Sequence, residues 1–301
     1  MAQTRDIKRR IKSIGNTKKI TKAMELVSAA KMRKATNSVL NSRNYSHLAW
    51  ELVKQLRERT DSKFHPLLQI NPKTNGKIAV LLITSNRGFC GGFNSQIIQK
   101  TLQYFKQEES MGNEVTAIVL GKKGANFLAK NNFNLTAEFE KNNIAPDVEE
   151  IRPLAKLLIN DFLNGKFTRV VVAYTDFIST LTQKPRIMEL LPLSLLNEDP
   201  YLGRIKNLAP EESNANFEYL FEPKPDQVLE ELLPRLLEMQ IYQAVLEADA
   251  SEYSARMVAM RNASEAATDM ISGLTLAFNK ARQGSITAEL ADISGGRAAV
   301  E

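Results

Sequence analysis

The last fifty residues carry an apolar series, Met260, Ala263, Ala267, Ile271, Leu274, Phe278 and Ala281, whose spacing stays close to 3.5. A repeat of that period keeps one stripe of a helix turned toward a partner helix, so it predicts half of a coiled coil. The helical pattern begins near Pro225 and Asp226, good helix-start chemistry, and continues with few breakers. Pro234 is expected to kink it near its start, and Gly273 and Gly284 to loosen it. A rod of this kind needs a mate of comparable length, and the other end of the chain offers one. Ile7, Ile11 and Ile14, then Ile20, Met24 and Val27, and later Tyr45, Leu48, Leu52 and Leu56 mark one helical face. Between Ser28 and Ala35 the stripe thins to small residues, which lets another helix approach closely. A helix from about Thr4 to Arg59 would run ~85 Å before DSKFHPLL, with Pro66, stops it. The two rods are expected to pair antiparallel.

Between the rods the pattern changes. KIAVLLITS, EVTAIVLG and TRVVVAYTDF are continuous apolar runs suited to strands buried on both faces. They alternate with amphipathic segments: SQIIQKTLQYFKQEES with Ile97, Ile98, Leu102 and Phe105 inward, a short helix from Lys122 to Lys130, and VEEIRPLAKLLINDFLNGKF ending at Gly165. That order predicts a small Rossmann-like α/β domain with a largely parallel sheet. After PRIMELLPLS the chain turns irregular and polar. The expected division is an N-terminal coiled-coil helix over 1–60, the α/β domain over 75–195, a linker or surface loop over 196–223, and a C-terminal coiled-coil helix over 224–301.

Composition excludes several classes. With 43% hydrophobic and 25% charged residues the chain is not of the disordered type. Its apolar runs are far shorter than the roughly eighteen residues a membrane-spanning helix needs, and the N-terminus has no apolar signal-peptide core. One cysteine, Cys90, and two histidines, His47 and His65, rule out an intramolecular disulfide and a zinc site built on several thiolates. Charge is uneven: residues 1–34 hold eleven Lys or Arg and two acids, a local +9 in a chain of net +6, so an anionic partner is expected at that end.

Three stretches could carry chemistry. NRGFCGGFN lies between a strand and a helix, where phosphate loops occur, but fits neither G-x-G-x-x-G nor the P-loop pattern; the other reading is a tight turn made by Gly88, Gly91 and Gly92. Cys90 in that turn reads as packing, because neither histidine is placed as its base. The basic stretch IKRRIKSIGNTKKITKAM could meet nucleic acid or an anionic membrane, yet it lacks aromatics for stacking, and its apolar stripe suits a partner helix. Arg256, Arg261, Arg282, Gln283 and Glu289 could, from spacing alone, be plain exterior residues.

Four segments resemble one family. IKSIGNTKKITKAMELVSAAKMRKA is similar to the N-terminal signature of F-type ATP synthase gamma subunits, and SARMVAMRNASEAATDMISGLTLAFNKARQGSITAELADISGGRAA to their C-terminal signature. TSNRGFCGGFN resembles the family's central glycine-rich element, and YLFEP the aromatic-acidic segment before the long helix. The resemblance implies a non-catalytic rotor subunit without a cofactor: a coiled-coil shaft inside a ring of three alpha and three beta subunits, its other end on the membrane c-ring beside the epsilon subunit. It implies contacts with the alpha/beta ring at Arg282, Gln283, Thr287 and Glu289, with Met24 and Arg256 near the beta subunits' acidic lever loops. Tyr219 and Glu222 match the region near the c-ring and epsilon. Nucleic acid is then no partner, and the membrane is met only through the complex, at the cytoplasmic face of a bacterial inner membrane. Gly15 and Pro234 depart from the family pattern and are expected to mark local flexibility. The alternative function is a small α/β nucleotide-binding enzyme with helical dimerisation arms.

Overall fold

The structure, a computed structural model, describes residues 2–59, 65–69, 76–141, 146–193 and 225–298. Two helices dominate: α1, Ala2–Arg59, and α5, Pro225–Ala298, 58 and 74 residues long. Gly15 does not interrupt α1, nor do Pro234, Gly273 and Gly284 interrupt α5. A proline inside a helix forfeits one backbone hydrogen bond and crowds the preceding turn. Here Leu233, Leu236 and Leu237, all buried in the main core, flank Pro234 and hold the helix through it.

The chain groups into two compact units, Met1–Ala29 with Arg256–Glu301, and Ala30–Ala255. The first is a helix pair. On α1 the less exposed residues are Thr4, Ile7, Ile11, Ile14, Lys18, Thr21, Glu25 and Ser28, alternating by three and four. On α5 the same alternation runs through Met257, Met260, Ser264, Ala267, Ile271, Leu274, Phe278, Ala281 and Ser285. The Thr21 and Ser264 hydroxyls share a hydrogen bond of 2.8 Å. Counted outward from that pair, an antiparallel register sets Ile14 opposite Ile271, Ile11 opposite Leu274 and Ile7 opposite Phe278. One seam residue differs from the sequence expectation: Ser264 is buried while Ala263 is only half-buried. The strict heptad after Met260 falls on position 264, and the Thr21 hydroxyl satisfies the serine placed there.

The second unit is built on a five-stranded sheet of order β3-β2-β1-β4-β5: β1 Lys77–Ile83, β2 Glu114–Leu120, β3 Leu135–Phe139, β4 Arg169–Phe177 and β5 Gln183–Leu191. The first four run parallel and β5 is antiparallel to β4. The sequence pattern marks three strands; β3 and β5 are additional, and both lie at edges. Residues of β3 are at most half-buried, so its apolar signal is weak. Pro185 sits within β5 opposite Thr175, a place an edge strand tolerates because a missing N–H can face away from the sheet.

Helices α2, Phe93–Ser110, and α3, Lys122–Lys130, cover one face, where Ile97, Ile98, Phe105 and Leu128 meet Ile78, Val80 and Leu82 of β1. Helix α4, Val148–Leu163, covers the other, with its N-terminus closed by a reciprocal capping box between Asp147 and Glu150. There Leu154, Leu158 and Phe162 join Ala79, Leu81 and Ile83, and the α5 residues Leu233, Leu237, Ile241 and Val245 complete the core. Central β1 is therefore apolar on both faces, as its uninterrupted apolar sequence requires. Within this unit α1 also lies against α5: Ala35 and Val39 enclose a small core with Leu246 and Ala250, Lys31 stands 5.3 Å from the ring centre of Tyr253, and Ser42 hydrogen-bonds Gln243. Residue numbers rise on one helix as they fall on the other, so the two run antiparallel.

Candidate interaction surface on the helical shaft

Among the residues expected to touch partners, Arg282, Gln283, Thr287 and Glu289 are all exposed on α5. Two hydrogen bonds in this stretch stay within the helix: the Thr287 hydroxyl donates to the Gln283 carbonyl at 3.0 Å, and the Ser285 hydroxyl to Glu289 at 3.4 Å. This turn of α5 leaves the Gln283 amide and the Glu289 carboxylate at the surface. Ile286 and Leu290 interleave with it, and both are exposed.

Met24 and Arg256 are placed differently. Met24 is half-buried at the side of the α1 seam, and Arg256 is only 7% exposed. Arg256 is thus held largely within the chain rather than displayed on its exterior. At the basic end of α1, Arg5, Lys8, Arg9 and Lys12 line a shallow concavity with Ile11. Exposed Ile20, Leu26 and Val27 follow along the same helix. Tyr219 and Glu222 lie outside the described residues.

The glycine-rich turn is closed upon itself. Asn94 is its centre: its carbonyl oxygen accepts from the Ser85 backbone N–H at 3.0 Å, and its amide donates to the Ser85 hydroxyl at 2.7 Å and to Cys90 Sγ at 3.1 Å. Gly91 has a φ of 55°, which glycine adopts without strain. Asn86 joins two further elements, donating to the Lys141 carbonyl and accepting from the Lys122 backbone N–H at 3.1 Å. The side chains that would have to reach a phosphate bond one another instead, and Cys90 is packed beneath them. His65 serves the fold as well, since its Nδ1 accepts from the Leu67 N–H at 3.2 Å and starts the turn Pro66–Leu68. Burial lowers its pKa from 6.5, against a smaller upward pull from Glu230. The side chain of His47 lies outside the described residues.

One charged group has no mark in the local sequence period. Lys141, just past β3, has a side chain only 8% exposed and pairs with Asp249 and with Glu252, the latter at 3.1 Å. Burial alone would favour its neutral form, but the two carboxylates hold its pKa well above the ordinary lysine value. A signal existed in the sequence: AVLEADASEYS sets Glu247, Asp249 and Glu252 among small and apolar residues, where a solvated helix face would show more polar neighbours.

Comparison with known proteins gives the geometry its context. The family model described as ATP synthase matches residues 3–300. A protein of Dehalococcoides mccartyi strain BAV1, named ATP synthase gamma chain, is 42% identical over 302 residues, covering all of both chains. The chain belongs to the ATP synthase gamma-chain family. Another gamma chain, from Chloroflexus aurantiacus strain J-10-fl, is 39% identical over 302 residues, covering 100% of this chain and 99% of its own. The fold is shared with solved structures as well. A chain of the Euglena gracilis mitochondrial ATP synthase, in an assembly of OSCP, F1 and c-ring, superposes with a TM-score of 0.66 at 19% identity, over 99% of this chain and 95% of that one. A chain from the central stalk and c-ring of the Tetrahymena thermophila enzyme gives 0.59 at 22% identity, over 81% and 99%. Among the described residues of this chain, no helix is long and apolar enough to cross a membrane.

Proposed function

We propose that this chain is the rotating central shaft of a bacterial ATP synthase, non-catalytic by itself, which couples turning of a c-ring to ATP synthesis at alpha/beta catalytic sites and runs in reverse during hydrolysis. The observation that carries the reading is end-to-end identity of 42% with a gamma chain. The physics of the elements supports it. A 74-residue helix is on the order of 110 Å long, and a packed seam gives a paired rod the stiffness that transmitting torque requires. The functional division follows the sequence: shaft helices over 1–60 and 224–301, an α/β domain over 75–195, and a connecting region over 196–223.

In this reading the shaft end carrying Arg282, Gln283, Thr287 and Glu289 meets the alpha3-beta3 ring, and their exposure supports that role. Polar contacts that form only at particular angles would act as catches, holding the rotor while each catalytic site passes through its states. Met24 and Arg256 lie near the beta subunits' lever loops, and the basic start of α1 meets acidic side chains there. Tyr219 and Glu222 are assigned to the end that meets the c-ring and epsilon. The chain is then peripheral to the inner membrane on its cytoplasmic side, reaching it only through the complex.

The test is reconstitution. The purified chain alone should hydrolyse no ATP, and alpha and beta subunits added to it should give a complex in which an actin filament or bead fixed to the chain rotates on ATP addition. Turnover by the lone chain, or an active complex in which the chain stays still, refutes the proposal. The nucleotide-binding alternative requires saturable ATP binding by the isolated chain that changes with Gly91 or Gly92.

A further inference from the structure

Helix α5 crosses the second unit between Ala244 and Ser254 with nearly every side chain enclosed. Four different sets of neighbours hold it there. Ala244, Val245 and Ala248 belong to the apolar core with the sheet and α4, and Leu246 and Ala250 face Ala35 and Val39 of α1. The other two sets are polar. Asp249 and Glu252 grip Lys141, whose own backbone carbonyl is tied to Asn86 beyond β1. The Ser251 hydroxyl donates to the Thr175 carbonyl of β4 at 3.1 Å, and the Ser254 hydroxyl donates to the Thr180 carbonyl of the β4–β5 hairpin at 2.6 Å. Gln183, at the start of β5, reaches the same Ser254 hydroxyl at 3.5 Å.

The placement of these polar contacts around the helix matters. Successive residues of an α-helix turn by about 100°, so the mean direction of Asp249 and Glu252 lies roughly 160° from that of Ser251 and Ser254. One grip therefore comes from Lys141 and the other from the β4–β5 hairpin on nearly the opposite side. Apolar contacts are non-directional and let a helix slide or roll at little cost, whereas hydrogen bonds and ion pairs fix angle and axial position. A helix clamped by directional bonds from two opposed sides can neither roll nor slip without breaking one set.

We propose that α5 residues 249–254 form the mount through which torque passes between the shaft and the α/β domain, with Lys141 as its principal positioning residue. The inference rests on the rotor reading above and adds to it the place where the load crosses from helix to domain. Removing one partner of a buried ion pair leaves an uncompensated charge, whereas a surface pair is worth little, so evolution of such a triad inside a domain suits a joint that must hold under load. The Lys141 ammonium is held to α5 by Asp249 and Glu252, and its backbone carbonyl to Asn86.

The experiment uses the complete ATP synthase in inverted membrane vesicles, with ATP hydrolysis and ATP-driven proton uptake recorded on the same preparation. Three forms of the chain are compared with the unmodified one: Lys141→Met, Ser251→Ala with Ser254→Ala, and the conservative Lys141→Arg. Loosening the mount lets the shaft turn without fully carrying the domain, so protons pumped per ATP should fall at least about fivefold in Lys141→Met, with hydrolysis kept within about twofold. The serine pair should shift the same ratio in the same direction by a smaller factor, and Lys141→Arg should restore it to within about twofold of the unmodified complex. Should Lys141→Met fail to assemble, the serine pair, which leaves the ion triad intact, carries the test. A pumping-to-hydrolysis ratio unchanged in every variant that assembles overturns the mount. Failure of the unmodified chain to join alpha and beta subunits overturns the rotor reading instead, and is seen before any variant is compared.

Discussion

Thr21 and Ser264 make a polar contact inside the helix seam, and the direction of their bond predicts an unequal response to mutation. The Thr21 hydroxyl also lies 3.1 Å from the Lys18 carbonyl, to which it can donate; its oxygen is then left to accept from Ser264. Thr21→Val therefore strands the hydroxyl of Ser264, a residue only 6% exposed, and should cost about 1–2 kcal/mol. Ser264→Ala leaves Thr21 bonded to Lys18 and should cost less, about 0.5–1 kcal/mol. The two together remove donor and acceptor at once, so the double variant should be about 1 kcal/mol less destabilised than the sum of the singles. Because the chain has two compact units, global unfolding could mix two transitions. Hydrogen exchange at the amides of α5 around Ser264 isolates the local opening free energy instead. Additive effects within about 0.3 kcal/mol, or a larger cost for Ser264→Ala than for Thr21→Val, would refute this account of the seam.

Three further outcomes can be measured. Gly121 has a φ of 110°, and a Cβ there would fall 2.3 Å from the Thr84 carbonyl oxygen, so Gly121→Ala should cost about 3 kcal/mol or more and lower the urea midpoint of the chain sharply. Burial depresses the His65 pKa, so the folded chain keeps this ring neutral where the unfolded chain protonates it. The associated stability is complete above pH 6.5 and declines as pH falls from there toward the lowered folded value; a urea midpoint followed from pH 8 to 5 should show this loss, and His65→Gln should flatten it. Gln283→Ala with Thr287→Ala removes two exposed polar groups, so stability should change by less than about 0.5 kcal/mol while coupled hydrolysis in the assembled complex falls about tenfold. Normal assembly with normal hydrolysis and pumping would show that these two side chains are not catches.

The long helices and the three central strands were legible because each is set by a local period: 3.5 in the seam of α5, and continuous apolarity in β1, β2 and β4. Edge strands carry no such mark. Leu135–Phe139 is half exposed, and Gln183–Leu191 contains Lys184, Pro185, Arg186 and Glu189, so neither resembles a buried strand until its neighbour is known. The same division runs through the functional residues. Arg282, Gln283, Thr287 and Glu289 are exposed on α5, a placement that one helix's own geometry decides. From spacing alone Arg256 reads as an exterior residue like them, yet it is buried, which depends on neighbours that helical spacing does not specify. Lys141 and Glu252 are 111 residues apart, and no local pattern brings them together. Three acids, Glu247, Asp249 and Glu252, set among small and apolar residues are the sequence feature that marks the place.

Cys90 is the chain's sole thiol, and it is buried with the Asn94 amide against its sulfur. For anyone wishing to watch this molecule turn, that is a convenience. A surface cysteine introduced at a chosen place would be the only one a maleimide reaches readily in the native chain, so a fluorophore or a magnetic bead could be fixed at one known point without first replacing the native residue. The glycine-rich turn, whose sequence once suggested a phosphate, thereby keeps its own reactive atom out of the chemistry of labelling.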